Sequence, residues 1–172
     1  ATIRSNDASS GIESIMYQLD GGIWSIYYSG VEVSEEGDHE IAFFAVDQAG
    51  NQADTVNVTF SIDLSIPVAQ SILIGEQGQN GWYVSEVEVN LTAQDNVSGV
   101  ATLLYRLDGS DWMAYSANLS IEADGQHTVD YFATDRAGNN GTIGSVVVML
   151  DKIGPSSSCE LNGTAGLQGW YN

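Results

Sequence analysis

The sequence is poor in cysteine, proline and basic residues. Cys159 is the single cysteine among 172 residues, so no disulfide can form within the chain. Only 4 Lys and Arg residues stand against 23 Asp and Glu residues, which gives a formal net charge of −19. Because a phosphate backbone is bound through Lys and Arg, this charge excludes nucleic acid as a partner and disfavours docking on anionic lipid. A chain this acidic stays soluble by self-repulsion or recruits cations.

Long apolar runs and the 3.6-residue helical period are also missing. The sequence contains no secretory signal and no stretch long enough to cross a membrane, so direct membrane insertion of this segment is not expected. Its hydrophobic content of 43% is nevertheless ample for packed cores. A folded protein built from strands is the expectation.

A repeat with a spacing of 88 residues runs through the whole chain without insertion or deletion. The matching segments are 7–12 with 95–100, 17–27 with 105–115, 47–51 with 135–139 and 81–83 with 169–171. Self-similarity at a fixed period indicates a modular array. A residue present in both copies therefore serves first to hold the module together.

The period also predicts the domain boundaries. Ala1 corresponds to Val89 and Asn172 to Val84, so the sequence begins and ends inside modules. We expect residues 1–65 to form a module that lacks its first strand and residues 66–153 to form a complete one. Residues 154–172 should supply the first strand of a further module.

Alternating apolar and polar residues predict about seven short strands in each complete module. In the second copy the predicted strands cover residues 70–74, 86–93, 103–107, 112–115, 118–121, 127–134 and 143–150. Asp108-Gly109 is a strong signal for a tight hairpin turn, and the run of valines at 146–148 suggests a strand buried on both faces. Seven strands in 88 residues indicate an all-β chain of tandem immunoglobulin-like sandwiches.

The ordered motifs resemble a known repeat of large surface proteins. Gly-Trp-Tyr, Asp-x-x-Ser-Gly-Val, Tyr-Arg-Leu-Asp-Gly, Gly-x-His and Asp-x-Ala-Gly-Asn follow one another in the chain. In this order they are similar to an Ig-like repeat of archaeal and bacterial surface and secreted proteins, catalogued under a leptospiral outer-membrane protein. The resemblance implies an extracellular, stalk-forming or adhesive role without catalytic activity.

One set of oxygen ligands is predicted to converge at the entrance of the second module. Because strand directions alternate in such a sandwich, Asp63 of the linker should meet Asp95 with Asn96, and Asp135 with Asn139, at one end. Carboxylate and amide oxygens from several loops are what calcium requires. The alternative is that these residues cap turns and form a solvated acidic surface, with no cofactor required.

Asparagine usage points to an exported protein. Six of the 11 asparagines stand in N-x-Ser/Thr sequons, namely Asn57, Asn90, Asn96, Asn118, Asn140 and Asn162. Sequons are acceptors for N-glycans on the surface of exported proteins, although a Ser/Thr-rich β protein also collects some by chance. Asn140 and Asn162 lie in predicted loops and are the expected occupied sites.

The aromatic and histidine residues have structural interpretations. Trp24, Trp82, Trp112 and Trp170 form two repeat-matched pairs, for which packing in the core or at hairpins is favoured over a sugar-binding platform. His39 and His127 also match, and we expect them to stabilise turns because no second histidine lies near either in sequence. No set of residues for nucleophilic or acid–base catalysis can be assembled, so the chain is not expected to be an enzyme.

Three functions remain open. The first is a structural array of modules on a cell surface, as a stalk, an S-layer or sheath element, or a filament. The second is an accessory carbohydrate-binding or adhesion module, for which Tyr28 or the edge at Trp112 and Met113 would be candidates. The third is a spacer beside an enzyme domain outside this segment. In each case the expected partners are neighbouring modules or further copies, head to tail.

The predicted module boundaries, which cut a module at each end, suggest strand exchange between copies. The first module lacks the strand that residues 158–161 represent, and an unfilled sheet edge is a template for a strand from another chain. A covalently continuous array makes the same contact within one chain and is the favoured version. Both versions expect residues 154–172 to pack against a module equivalent to residues 1–62.

Overall fold

The computed structural model describes residues 1–160 and 162–163, and every regular element it assigns there is a β-strand. In that part of the chain no helix has the length and apolar character needed to cross a membrane. The chain is therefore all-β, as predicted.

The second half of the chain forms two sheets that face each other. Its strands are β5 (Val68–Ile74), β6 (Trp82–Tyr83), β7 (Val87–Gln94), β8 (Val100–Leu107), β9 (Met113–Ala114), β10 (Leu119–Ile121), β11 (Gly125–Asp135) and β12 (Gly144–Leu150). One sheet has the order β10-β7-β5, and the other has the order β6-β12-β11-β8-β9. All pairings are antiparallel except that of β12 with β6. Two packed antiparallel sheets with strands that cross between them make an immunoglobulin-like sandwich.

The first half contributes one sheet with the order β2-β1-β3-β4. Its strands are β1 (Ile12–Leu19), β2 (Ser25–Ile26), β3 (Gly37–Asp47) and β4 (Val56–Ile62). They correspond to β8, β9, β11 and β12 one period later. The backbones of Ala1 and Val31 exchange two hydrogen bonds, of 2.6 and 3.0 Å. These two residues correspond to Val89 and Leu119, which are register partners in β7 and β10. Hereafter residues 1–65 are called the first module and residues 66–153 the second module.

Alternating side chains fill the core of the second module. Val87, Val89 and Leu91 of β7 face Val129 and Tyr131 of β11, and all five are buried. The hydroxyl of Tyr115 accepts a hydrogen bond from the Leu91 N–H at 3.0 Å. The same contact joins Ile3 to Tyr27 in the first module at 3.1 Å. The tyrosine thus ties the second hairpin arm to the backbone that faces it in both copies, at Leu91 of β7 and at Ile3.

The inner face of β4 is less well covered than its counterpart in the second module. Val148 is fully buried, whereas Phe60 at the matching position is only partly buried. Val58 is 48% exposed. In the second module β5 of the facing sheet packs Leu73 into the core, and β6 extends the sheet beside β12 by pairing Tyr83 with Leu150. The first module has no strand equivalent to β5 or β6 among its described residues.

The strand positions agree closely with the sequence pattern, but two details differ. Val147 is 47% exposed because the outer face of its sheet is open, so the valine run is not buried on both faces. The short strand β6, which pairs in parallel with β12, was not predicted because two residues carry no periodicity. The first strand expected for a further module, at residues 158–161, extends outside the described residues and stays a prediction; residues 154–160 carry no strand assignment.

Candidate functional site

The three aspartates expected at the entrance of the second module do lie together. One carboxylate oxygen from each of Asp63, Asp95 and Asp135 lies within 4.8 Å of the others. Asp63 follows β4, Asp95 follows β7 and Asp135 ends β11. The end of the second module that carries Asp95, Ser98, Asp135 and Asn139 is called the acidic pole below.

Asp135 is buried, at 2% exposure, and is held as a carboxylate. Burial would raise its pKa, but hydrogen bonds from Asn139 and from the backbone of Gly138 outweigh it, so the pKa lies below its ordinary value. Oδ1 accepts the N–H groups of Gly138 and Asn139 at 2.7 and 2.8 Å. Oδ2 accepts the Asn139 side-chain amide at 2.8 Å. The Asp-x-Ala-Gly-Asn turn is therefore closed by its own aspartate, as expected.

The linker is attached to the acidic pole through Asp63. Oδ2 of Asp63 accepts the N–H of Ser98 at 3.0 Å. The backbone carbonyl of Asp63 accepts the Asn139 side-chain amide at 3.0 Å. Oδ1 of Asp63 accepts the N–H of Ser65, which closes a tight turn inside the linker itself. One residue thus binds both the loop after β7 and the turn after β11.

The oxygen set is compatible in size and chemistry with a calcium ion. Oxygens that bind calcium lie about 2.3–2.6 Å from the ion, so two ligands on opposite sides are separated by roughly 5 Å. The span of 4.8 Å among the three carboxylates is within that range. The Asn139 oxygen, a predicted fourth ligand, belongs to an amide whose nitrogen donates to Asp63 and Asp135. Asn96 is exposed beside this group, and its Oδ1 accepts the side-chain amide of Gln94.

The corresponding end of the first module has two of the three aspartates. Asp7 Oδ2 accepts the N–H groups of Ser10 and Gly11, each at 2.8 Å. Asp47 Oδ1 accepts the Asn51 N–H at 2.8 Å. These hydrogen bonds lower the pKa of both carboxyls, led by Gly11 at Asp7 and by the Asn51 side chain at Asp47. Asp151, one period after Asp63, stands in a second linker, which follows β12. There its Oδ1 accepts the Ile153 N–H at 3.0 Å.

Each histidine is bound to the aspartate of a hairpin turn. His127 Nδ1 lies 2.8 Å from Asp108 Oδ2, and Nε2 lies 3.0 Å from the Ala123 carbonyl. Asp108 has a φ of 49° and Gly109 a φ of 75°, as a tight hairpin turn requires. The histidines therefore stabilise turns, as predicted. Their partners could have been identified from the sequence, because Asp-Gly and Gly-x-His recur together in both copies.

The sequon asparagines lie on the surface, with one intermediate case. Asn57, Asn96, Asn118, Asn140 and Asn162 are exposed. Asn90 is partly buried and lies on the outer side of β7, since its neighbours Val89 and Leu91 point into the core. All six side chains are thus placed where a glycan can leave the fold.

The three tryptophans that the structure describes lie at hairpins and sheet edges instead of in the core. Trp112 packs edge-on against Phe132 at 4.8 Å, and the Arg106 guanidinium lies 4.8 Å from its ring. Trp24 packs on Phe44 at 4.9 Å, with the two ring planes tilted at 56°. Trp82 is 37% exposed, and Trp170 lies outside the described residues. Packing at hairpins, which the repeat favoured, accounts for the first two.

Sequence reasoning missed Ser98, whose backbone N–H donates to the linker aspartate, Asp63. Every residue other than proline has a backbone N–H, so residue type gives little indication of a backbone contact. The one available signal is the Ser-Gly pair that follows each aspartate of the first loop, at Ser10 and at Ser98.

No protein-family model and no curated protein matches the sequence. Among solved structures, the chain is similar to the fibronectin(III)-like modules of CbhA from Clostridium thermocellum, with a TM-score of 0.41 and 12% sequence identity. That match covers 91% of this chain and 88% of the other.

Proposed function

We propose that the chain is a structural segment of an extracellular cell-surface protein in which immunoglobulin-like modules follow one another head to tail. A stalk, an S-layer or sheath element, or a filament is the setting that suits it. The observation that carries the proposal is the joint at Asp63, which accepts a hydrogen bond from each of two loops of the second module. A linker bound in this way transmits orientation from one module to the next, as a rod requires. No catalytic step is assigned to these residues.

Charge and sequons support the surface location. A net charge of −19 keeps a protein soluble and apart from other acidic surfaces. Surface-exposed sequon asparagines suit a glycoprotein of an exported array. Brief protease treatment of intact cells of the native source tests the location. Loss of the protein from unbroken cells supports it, whereas full protection that is lifted only by lysis contradicts it.

Calcium at the acidic pole is part of this proposal. An ion bound by Asp63, Asp95 and Asp135 would link the linker to both loops of the second module and relieve the repulsion among three carboxylates. Asn139, which already donates to two of the aspartates, would orient them. Calcium sites of extracellular modules bind with dissociation constants of about 10⁻⁴–10⁻³ M, so millimolar calcium is the relevant range.

The partners in this proposal are neighbouring modules, joined covalently or by exchange of strands between copies. Light scattering of the chain with and without residues 154–172 separates the two versions. Association that depends on those residues supports exchange. A chain that stays monomeric with them present supports the covalent array.

A second candidate function is adhesion or carbohydrate binding, and one observation favours it. Tyr28 and Ile23 are 86% and 88% exposed on the first module, and the matching positions in the second module are Ser116 and Asp111. An exposed aromatic that is unique to one module is what a binding patch needs, since a residue required by the fold would be repeated. A glycan array probed with the wild-type chain and with Tyr28→Ala tests it. Binding that the substitution abolishes supports this function, and no binding to any glycan removes it.

A further inference from the structure

The acidic pole also makes a close backbone contact with the start of the second module. A Cβ atom built on Gly141 would lie 2.3 Å from the carbonyl oxygen of Pro67, a distance that real Cβ atoms do not show. Pro67 is fully buried at this contact. A side chain as small as a methyl group at position 141 therefore cannot coexist with Pro67 in its present position.

The matching position of the first module is Ala53, which has the methyl group that Gly141 lacks. The backbones of the two residues are placed alike. Gly141 N–H donates to the Ala133 carbonyl at 2.8 Å, and Ala53 N–H donates to the Ala45 carbonyl at 2.9 Å. The Ala53 methyl group thus occupies the space that a proline carbonyl would need at that end of the first module.

The two linkers share an aspartate and a proline at the same spacing. Asp63 and Pro67 stand four residues apart, and Asp151 and Pro155 repeat that spacing. Each aspartate accepts the N–H of the residue two positions later, at 2.9 Å from Ser65 and 3.0 Å from Ile153. The second linker therefore presents its aspartate in the same local turn as the first.

The acidic pole and the matching end of the first module differ in which carboxylate accepts the serine N–H. Where the linker is docked, Ser98 N–H donates to Asp63 of that linker at 3.0 Å. In the first module, Ser10 N–H donates at 2.8 Å to Asp7 of its own loop. A linker aspartate that docks as Asp63 does would take over the amide that Asp7 binds.

We propose that position 141 selects which linker a module can accept. The glycine lets an Asp-x-x-x-Pro linker seat its proline carbonyl against the pole while its aspartate binds Ser98. Alanine at position 53 prevents the same docking on the first module, so residues 151–155 of another copy do not seat there as residues 63–67 seat on the second module. The modules are consequently not interchangeable, and their order along an array is fixed by these joints. This inference rests on the proposed head-to-tail array.

Amide hydrogen exchange in the whole chain tests the selection, with Gly141→Ala as the variant and Ala53→Gly as the matched control. The Ser98 amide should exchange about tenfold faster or more in Gly141→Ala, the factor expected from loss of one hydrogen bond to a charged group. The Ser10 amide and the core amide of Val129 should keep their wild-type rates. Ala53→Gly should leave Ser98 unchanged. A Ser98 rate within twofold of wild type in Gly141→Ala would overturn the proposal.

Gly141→Ala could instead unfold the second module, which the Val129 amide would report. In that case Asp63→Ala decides, because it removes the linker carboxylate without adding a methyl group at the pole. Faster exchange at Ser98 with Val129 still protected supports the docking, and unchanged protection of Ser98 rejects it. These exchange rates are measured on one chain in solution, so they do not depend on the cellular location of the protein. A negative result of the protease test on intact cells would therefore leave them unaffected.

Discussion

His39 Nδ1 lies 2.8 Å from Asp20 Oδ2, and the pair recurs 88 residues later as His127 and Asp108 at the same distance. Nε2 of His39 faces a second acceptor, the Glu35 carbonyl, at 2.9 Å. With an acceptor at each ring nitrogen, the ring satisfies both only when both nitrogens carry protons. The fold therefore favours the imidazolium form of both histidines.

The pH dependence of stability should follow from these pairs. The hydrogen bond to Asp20 raises the pKa of His39 above 6.5, as the bond to Asp108 does for His127, and the same bonds lower the pKa of both aspartates below 3.8. A raised histidine pKa gives stability that is complete below pH 6.5 and is lost as the pH rises through the folded-state pKa. A lowered aspartate pKa gives stability above pH 3.8 that is lost on further acidification. Thermal unfolding at constant ionic strength should thus show the highest Tm between these limits.

The control is a chain with both His39→Gln and His127→Gln. Repulsion among the acidic groups is nearly constant above pH 6, because these groups are already ionised there, and it is present in both chains. The wild-type chain should lose more Tm than the variant between about pH 6 and pH 9. Equal losses in the two chains would show that the imidazolium pairs do not contribute.

Calcium should raise the Tm of the second module at millimolar concentration. An ion that binds the folded joint and not the unfolded chain stabilises by mass action. Asp135→Asn should abolish the rise, and Asp111→Asn, an exposed aspartate remote from the joint, should preserve it. Calorimetric titration with no heat, together with an unchanged Tm, would leave only the turn-capping role for these aspartates.

Substitutions at matched core positions should show how completely β4 and β12 are buried in their modules. Leu150 is fully buried, and Ile62 at the corresponding position of β4 is only partly buried. Leu150→Ala should lower the free energy of unfolding of the second module by about 2–5 kcal/mol. Ile62→Ala should cost the first module less than half as much, because its side chain already meets solvent. Chemical denaturation followed at resolved amide signals of each module measures both, and equal costs would contradict the difference in coverage.

Most of the strand positions and the grouping of Asp63, Asp95 and Asp135 follow from the sequence. Period-2 alternation identifies strands wherever one face is buried, and the alternation of strand directions then assigns loops to one end of the sandwich. The contact of Gly141 with Pro67 is not predictable in this way, because it joins backbone atoms far apart in sequence. The exposure of Val147 fails for a related reason, since an apolar run does not tell which sheet face is open.

N-glycosylation in the native source should occur at several of the six sequons. Asn140 and Asn162 remain the expected first sites, since both are exposed and lie outside the strands. Asn90, on the outer side of β7, should be the least occupied because it is partly buried within a strand. Intact-mass analysis of natively purified protein, followed by peptide mapping, measures occupancy at each position. A bare polypeptide mass would refute the prediction.

Covering the inner face of β4 should stabilise the first module. Ala1 corresponds to Val89, so a second copy of residues 66–88 placed before Ala1 would supply strands equivalent to β5 and β6 in the correct register. The added strands would bury Val56 and Val58, now 47% and 48% exposed, against an apolar face such as Leu73 provides in the second module.

We expect the extended chain to show a higher Tm for the first module and weaker binding of a hydrophobic dye than the chain of 172 residues. An extension in which the residues matching Leu73 and Tyr83 are changed to aspartate is the control, because it adds the same length without the apolar face. The Ala53 methyl group should displace the added proline, so the gain should increase when Ala53→Gly is combined with the extension. An extension that stabilises no more than its aspartate control would mean that β4 does not need the strands that cover its counterpart β12.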